Sequence, residues 1–144
     1  DGKNPRRVLR ALEVAILTGK PFTTQRRKGE KLFEILKIGL NPADLHERIN
    51  RRARQMIYDG LVAEVKNLVK KYGADIRALD AIGYREIIQC LNSELSLPKA
   101  IELMVKNTKN YAKRQITWFK RDNEIHWIKN PSEAIKLVKH FLAD

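Results

Sequence analysis

The dipeptide Asn-Pro occurs three times, at Asn4-Pro5, Asn41-Pro42 and Asn130-Pro131. Each copy carries the two signals that open a helix. An Asn side chain can accept a hydrogen bond from the free N–H groups of a first turn, and Pro has its φ already fixed near the helical value. Helix starts spread along the whole chain predict a mainly α-helical fold with two short strands. After the first start, Val8, Leu9, Leu12, Ala15 and Ile16 recur at helical spacing, and Gly19 is a good stop. The second start predicts a helix to Asp59 with Leu45, Ile49, Ala53, Met56 and Ile57 on its apolar face, ended or bent by Gly60. Leu61, Val62, Val65, Leu68 and Val69 predict another, ended near Gly73. Leu79, Ile82, Ile87, Ile88 and Leu91 predict a short turn and a short helix divided near Gly83, Pro98 opens a long helix, and the third Asn-Pro opens a terminal one.

Two segments depart from this pattern. Leu32 to Leu40 is short and apolar and predicts a strand, and Glu124 to Ile128 alternates as a second. Two short strands so far apart cannot make a stable sheet alone, so either they pair with each other or a sheet lies elsewhere. Residues 20–31, with Pro21, Gly29 and Arg26-Arg27-Lys28, show no periodicity and are expected to form a mobile basic loop. The expected organisation is one helical domain over residues 1–144.

Charge narrows the function. The 144 residues include 29 Lys and Arg against 17 Asp and Glu, a formal charge of +12. The excess runs through the body: 17 basic against 8 acidic residues up to Tyr72, and 12 against 9 after it. A folded protein so charged is expected to meet a polyanion, with RNA or DNA the first candidate and a membrane surface the second. No apolar run approaches the ~18 to 20 residues that span a bilayer, and no signal-peptide pattern opens the chain, so a soluble, cytoplasmic protein is expected. Cys90 is the single cysteine and reads as a buried thiol. The chain begins at Asp1 rather than Met, which suggests a fragment.

Within the long helix, Lys106, Lys109, Lys113 and Lys120 fall in one narrow sector, while Ile101, Met104, Val105, Ala112, Ile116 and Phe119 form the face expected to be buried. Tyr111 and Trp118, seven residues apart, are expected along a flank of the lysine stripe. Cations can bind phosphates and flat rings can take unstacked bases. Arg48 and Arg52, four apart, share a helical face and could grip a phosphate or diphosphate, or pair with Asp44 or Glu47. Arg6, Arg7 and Arg10 crowd the first turns of a helix, where they oppose its dipole unless an anion sits beside them. Asp80 to Arg85 is a Gly-bearing turn that delivers an aromatic and a guanidinium together. Catalytic signals are absent. Thr18-Gly19-Lys20-Pro21 lacks the earlier Gly and following Ser/Thr of a phosphate loop, and His46, His126 and His140 are scattered without metal-ligand spacing.

Taken in order, Arg6-Arg7-Val8-Leu9-Arg10-Ala11-Leu12-Glu13-Val14, Thr18-Gly19-Lys20-Pro21, Ile38-Gly39-Leu40, Arg48-Ile49-Asn50, Met56, Gly60-Leu61 and Glu64-Val65 resemble the tRNA dimethylallyltransferase (tRNA isopentenyltransferase) family. Ile82-Gly83-Tyr84-Arg85-Glu86 and Tyr111-Ala112-Lys113-Arg114-Gln115-Ile116-Thr117-Trp118-Phe119 complete the match. The resemblance implies transfer of a dimethylallyl group from dimethylallyl diphosphate to N6 of the adenosine 3′ of the anticodon, with Mg²⁺ assisting departure of the diphosphate.

It also implies roles for individual residues. Arg6, Arg7, Val8, Leu9 and Arg10, then Asp80, Ala81, Ile82, Gly83, Tyr84 and Arg85, then Lys113, Arg114, Gln115, Ile116, Thr117, Trp118, Phe119 and Lys120, match segments that touch the tRNA anticodon stem-loop. Arg48 and Arg52 match a place that helps hold the diphosphate. The family's nucleotide-binding P-loop, general-base Asp and Thr have no counterpart here. The resemblance therefore implies the C-terminal part of a P-loop α/β enzyme whose main parallel sheet is largely missing. Such a chain is expected to bind tRNA, to be inactive alone, to carry no catalytic residue or Mg²⁺ ligand of its own, and to belong to an enzyme monomeric at full length. Departures include Arg54 where an acidic residue is common, Lys109 for a usual arginine, and a short Leu40 to Leu45 connection. Two readings outside the family are a stand-alone basic helical nucleic-acid-binding module without transferase activity and a structural or ribosome-associated basic protein.

Overall fold

A computed structural model describes residues 3–25 and 32–143, in two compact units, Asp1–Ile35 and Leu36–Asp144. The first contains α1 (Pro5–Thr18), opened as the sequence predicts: Asn4 Oδ1 accepts from the Arg7 N–H at 3.3 Å, Pro5 takes the first helical position, and Gly19 closes the helix in the left-handed region. The apolar residues Leu9, Leu12, Ile16 and Leu17 of α1 are exposed. A single 3₁₀ turn, Phe22–Gln25, follows in the segment expected to be an irregular loop. The rest of that basic run, residues 26–31, lies outside the described residues.

The second unit holds β1 (Lys37–Leu40), α2 (Leu45–Tyr58), α3 (Leu61–Tyr72), a 3₁₀ turn (Arg77–Leu79), α4 (Tyr84–Leu91), α5 (Leu97–Phe119), β2 (Ile125–Ile128) and α6 (Pro131–Ala143). Its core is one cluster formed by Ala53 of α2, Leu61 and Val65 of α3, Ile87 of α4, and Ala100 and Met104 of α5. Two of these are alanines, and side chains that short bring helix axes close enough for their neighbours to interlock. Cys90 is half-buried beside this cluster with a free thiol.

Two expected boundaries are corrected. The second Asn-Pro does not open a helix. The Asn41 N–H donates to the Ile128 carbonyl at 2.9 Å and so continues the strand pairing, a turn closes from the Leu45 N–H to the Pro42 carbonyl, and α2 starts behind Asp44. The first strand is also shorter than Leu32 to Leu40: only Lys37–Leu40 pairs, because β2 offers just four partners.

Those partners bear out one arm of the alternative left by the sequence, and they are compatible with a main sheet that lies elsewhere. β1 and β2 pair with each other, in parallel, with Lys37 opposite Ile125, Ile38 opposite His126, Gly39 opposite Trp127 and Leu40 opposite Ile128. Parallel neighbours need a long crossover, here everything from α2 to α5. Lys37 Nζ clasps the carboxylates of Asp122 and Glu124 at 2.7 and 2.9 Å and pins the start of the pairing. Gly39 permits a close approach at its centre. A Cβ there would come within 2.8 Å of both Ile125 Cγ2 and Trp127 Cε3.

Gly39→Ala is therefore expected to destabilise the unit by about 1–3 kcal/mol, because the added methyl must displace Ile125 or the partly exposed Trp127 ring from the strand pair. Urea unfolding followed by near-UV circular dichroism checks this. Adding Trp127→Leu should recover part of the loss.

Candidate nucleic-acid interface

The first half of α5 belongs to the core, with Ala100 and Met104 buried, but from Val105 onward no residue of the helix is fully buried. Its last turns stand in solvent on almost every side, with Trp118 64% and Tyr111 49% exposed. Ile116 and Ala112 alone stay half-covered in the stretch from Tyr111 to Phe119. The Arg114 guanidinium lies 6.0 Å from the Tyr111 ring centroid, and Gln115 Nε2 reaches the Tyr111 hydroxyl at 3.4 Å. The Trp118 and Phe119 rings meet edge to face at 4.9 Å. Thr117 Oγ1 donates back to the Lys113 carbonyl, so it serves its own helix.

One expectation about this helix is corrected. Tyr111 and Trp118 do share a face, since seven residues are close to two full turns, but that face is not a flank of the lysine stripe. Lys113 and Trp118 are five residues apart, which at about 100° per residue sets them on different sides. Tyr111 faces a groove between α2 and α5, and Trp118 lines a cleft against the strands. Lys106, Lys109, Lys113 and Lys120 line neither. Basic and aromatic surfaces are thus two faces of one helix.

The groove has a volume of about 620 Å³. Ile49, Ala53, Met56, Ile82 and Met104 make its apolar walls, and Arg48, Arg52, Tyr111 and Gln115 its polar positions. The spacing argument thus holds for the arginine pair: Arg48 and Arg52 look into the groove, whereas Arg51 and Arg54 line the outer side of α2 with Glu47 and Tyr58. Arg48 Nε also donates to Asp44 Oδ1 at 2.9 Å, and this hydrogen bond holds the Asp44 carboxyl below the usual carboxylate range. Among the described residues Arg52 makes no ion pair.

The Asp80 to Arg85 turn delivers Ile82 to the same groove. Gly83 sits at φ +102°, a left-handed conformation that side chains resist, and α4 begins directly after it. The turn is tied on three sides. Arg85 donates to Asp80 Oδ1 at 3.3 Å, the Tyr84 hydroxyl donates to Glu64 of α3, and Glu86 binds the Gly83 N–H. The bond to Glu64, aided by loss of solvent, keeps the Tyr84 hydroxyl a neutral donor by raising its pKa. Glu86 and Asn107 were not singled out from the sequence. The Gly83-x-x-Glu86 spacing, that of a capping box, was the available signal. Arg6, Arg7, Val8, Leu9 and Arg10 are exposed along the first turns of α1, in the other unit, where Arg10 pairs with Glu13 at 3.2 Å. Among the described residues no three of His, Cys, Asp and Glu come together to hold a metal ion, and no helix is long and apolar enough to cross a membrane.

Residues 1–122 match the model of the IPP transferase family. The chain belongs to that family. It is 43% identical over 139 residues to the tRNA dimethylallyltransferase of Prochlorococcus marinus (strain MIT 9312), covering 94% of this chain and 46% of that relative. It is 50% identical over 123 residues to the tRNA dimethylallyltransferase of Microcystis aeruginosa, covering 84% and 39%. The crystal structure of the full-length tRNA isopentenylpyrophosphate transferase of Bacillus halodurans superposes with a TM-score of 0.68 at 34% identity, covering 99% of this chain and 46% of that one. This IPP transferase chain therefore spans about half the length of the relatives it matches, and its mainly helical architecture is the one found in that part of the family fold.

Next to the groove, a cleft of about 870 Å³ opens between the strands and the end of α5, with Trp118, Phe119, Trp127 and Ile38 on its walls and Lys37 and Asp122 among its polar positions. The hydrogen bond from Lys37 holds the Asp122 carboxyl below the usual carboxylate range, and the bonds to Asp122 and Glu124 hold the Lys37 ammonium above the usual lysine range. The two signs bracket a pH window. Stability from the depressed acid is present at neutral pH and lost as pH falls below about 4, and stability from the raised base is lost as pH rises above about 10.5. Thermal unfolding of wild type and Lys37→Met across pH is expected to differ most between about pH 5 and 9 and to converge at both extremes.

Proposed function

We propose that this chain is the tRNA-reading C-terminal portion of a tRNA dimethylallyltransferase and takes part in moving a dimethylallyl group from dimethylallyl diphosphate to N6 of the adenosine 3′ of the anticodon. The observation that carries the reading is the groove between α2 and α5, where an arginine pair, a tyrosine and an apolar floor lie together, continuous along α5 with an exposed tryptophan. The names of the relatives supply the substrate class.

In the reaction so assigned, N6 forms a bond to C1 of the dimethylallyl group, the C1–O bond breaks, diphosphate leaves with the electron pair, and N6 releases a proton. Arg52, with Arg48 beside it, takes the role of holding the departing diphosphate by forked charge-assisted hydrogen bonds. Tyr111 and Trp118 offer faces on which unstacked loop bases can lie. Lys106, Lys109, Lys113 and Lys120, on the other face, meet backbone phosphates and set affinity rather than sequence. The Asp80 to Arg85 turn adds to the tRNA contacts of the larger unit, and Arg6 to Arg10 supply separate contacts from the smaller one. Mg²⁺ would neutralise diphosphate charge.

Binding of an anticodon stem-loop, beside a scrambled loop of equal length, at two salt concentrations tests the assignment. A preference for the true loop that survives the higher salt is expected, and equal binding erased by salt would leave only a basic surface. Trp118→Ala is expected to cut the preference about tenfold, whereas Lys109→Ala should weaken both RNAs alike and lower the salt slope by about 1. For the diphosphate role, Arg52→Ala is expected to weaken binding of inorganic diphosphate about tenfold, with Arg51→Ala, on the outer side of α2, changing it less than about twofold.

A further inference from the structure

Glu86 is the one charged side chain that is wholly buried among the described residues. A carboxylate taken out of water is costly unless its oxygens find donors. Both do. Oε2 accepts from the Gly83 N–H at 2.6 Å, and Oε1 accepts from Asn107 Nδ2 of α5 at 2.6 Å, with an Arg85 guanidinium nitrogen 3.5 Å from Oε1. Capping α4 needs only the first bond, and a cap at the surface avoids the cost of burial. The second oxygen is turned to a different helix, one turn before Tyr111.

We propose that Glu86 and Asn107 are positioning residues for RNA recognition, a lock that fixes the Asp80 to Arg85 turn against α5. The inference rests on the tRNA-reading role proposed above. Through the lock, Tyr84 and Arg85 on one side and Tyr111 and Arg114 on the other keep a fixed spacing; Tyr84 also packs against the core cluster, whereas Arg85, Tyr111 and Arg114 are exposed. Specific reading of a loop needs that spacing held, whereas attraction to phosphates does not.

Complementary hydrogen bonding gives a stringent test. Glu86→Leu removes both acceptors, whereas in Glu86→Gln the new amide can accept from Gly83 and donate to Asn107 Oδ1 once the Asn107 amide turns over. In Asn107→Asp two carboxylates face each other. In the double variant E86Q/N107D the new amide can accept from Gly83 and donate to the carboxylate introduced by N107D, which restores both bonds with the charge moved to α5. Three quantities are read for each protein: the affinity ratio between the anticodon stem-loop and the scrambled loop, hydrogen exchange of the Gly83 to Arg85 amides, and the thermal midpoint.

Glu86→Leu and Asn107→Asp are each expected to lose about tenfold in the affinity ratio and to exchange faster at Gly83, and E86Q/N107D to recover both to within about threefold. Asn107→Ala, which keeps the Gly83 bond and loses the one to α5, supplies the affinity ratio if Glu86→Leu does not fold. If both RNAs weaken together, following the thermal midpoint, with the ratio unchanged, the role is only structural and the proposal is overturned. Exchange at Gly83 unchanged in Glu86→Leu overturns the lock itself. A wild-type chain that ignores the loop sequence overturns the tRNA reading, and the role in recognition with it. The exchange data, which involve no RNA, tell that outcome from a failed lock.

Discussion

The larger unit depends on one crossing, where Ala100 and Met104 of α5 enter a cluster with Ala53, Val65 and Ile87 from the three preceding helices. Small side chains at that point let the helices approach, and the close approach orients α5. A helix of 23 residues is about 34 Å long, far more than the core can cover, so its second half must leave the core and travel through solvent. It runs past the mouth of α2 toward the strands. Two concave surfaces of the unit, one against α2 and one against β1 and β2, are spaces that this overhanging half leaves between itself and its neighbours. Packing at one end of the helix thus places chemistry at the other.

Local signals were legible where a residue acts on its own backbone. Asn4, Gly19, Gly60, Gly83 and Pro131 mark element ends from sequence because caps and left-handed turns are decided within a few residues. Asn41 misled for the same reason in reverse: its N–H was already committed to Ile128, 87 residues away in sequence, and no local pattern reports that bond. The shortened first strand has the same cause, since the length of a strand is set by its partner. The pairing of β1 with β2 could be posed as an alternative but not decided, because parallel strands carry no turn to fix their register.

The candidate site divides along similar lines. The arginine pair was found by four-residue spacing, which any α-helix honours, and Arg48 and Arg52 do share the groove. The side of α5 on which Tyr111 and Trp118 lie was misread because the lysines, being more numerous, were allowed to define the face. The burial of Glu86 was invisible. A Glu three residues past a glycine reads as an exposed cap, and only the approach of Asn107 from another helix turns it into a buried contact.

The separation of the two faces of α5 bears on how a chain with a charge of +12 can be selective. Lysines alone bind any polyanion, with an affinity that salt erodes, and adding more of them raises specific and non-specific binding together. Discrimination has to come from groups whose contacts depend on base identity or on loop shape, and these work only when held at fixed spacing. In this fold the lysines stand on the outer side of α5, while the tyrosine, the tryptophan, the arginine pair and the glycine turn look into concave surfaces anchored to the core. Groups able to read a loop and groups able only to attract phosphate thus stand on different faces of one helix. The buried carboxylate beneath the glycine turn serves the fold in two ways at once, capping α4 at Gly83 and tying that turn to Asn107 of α5.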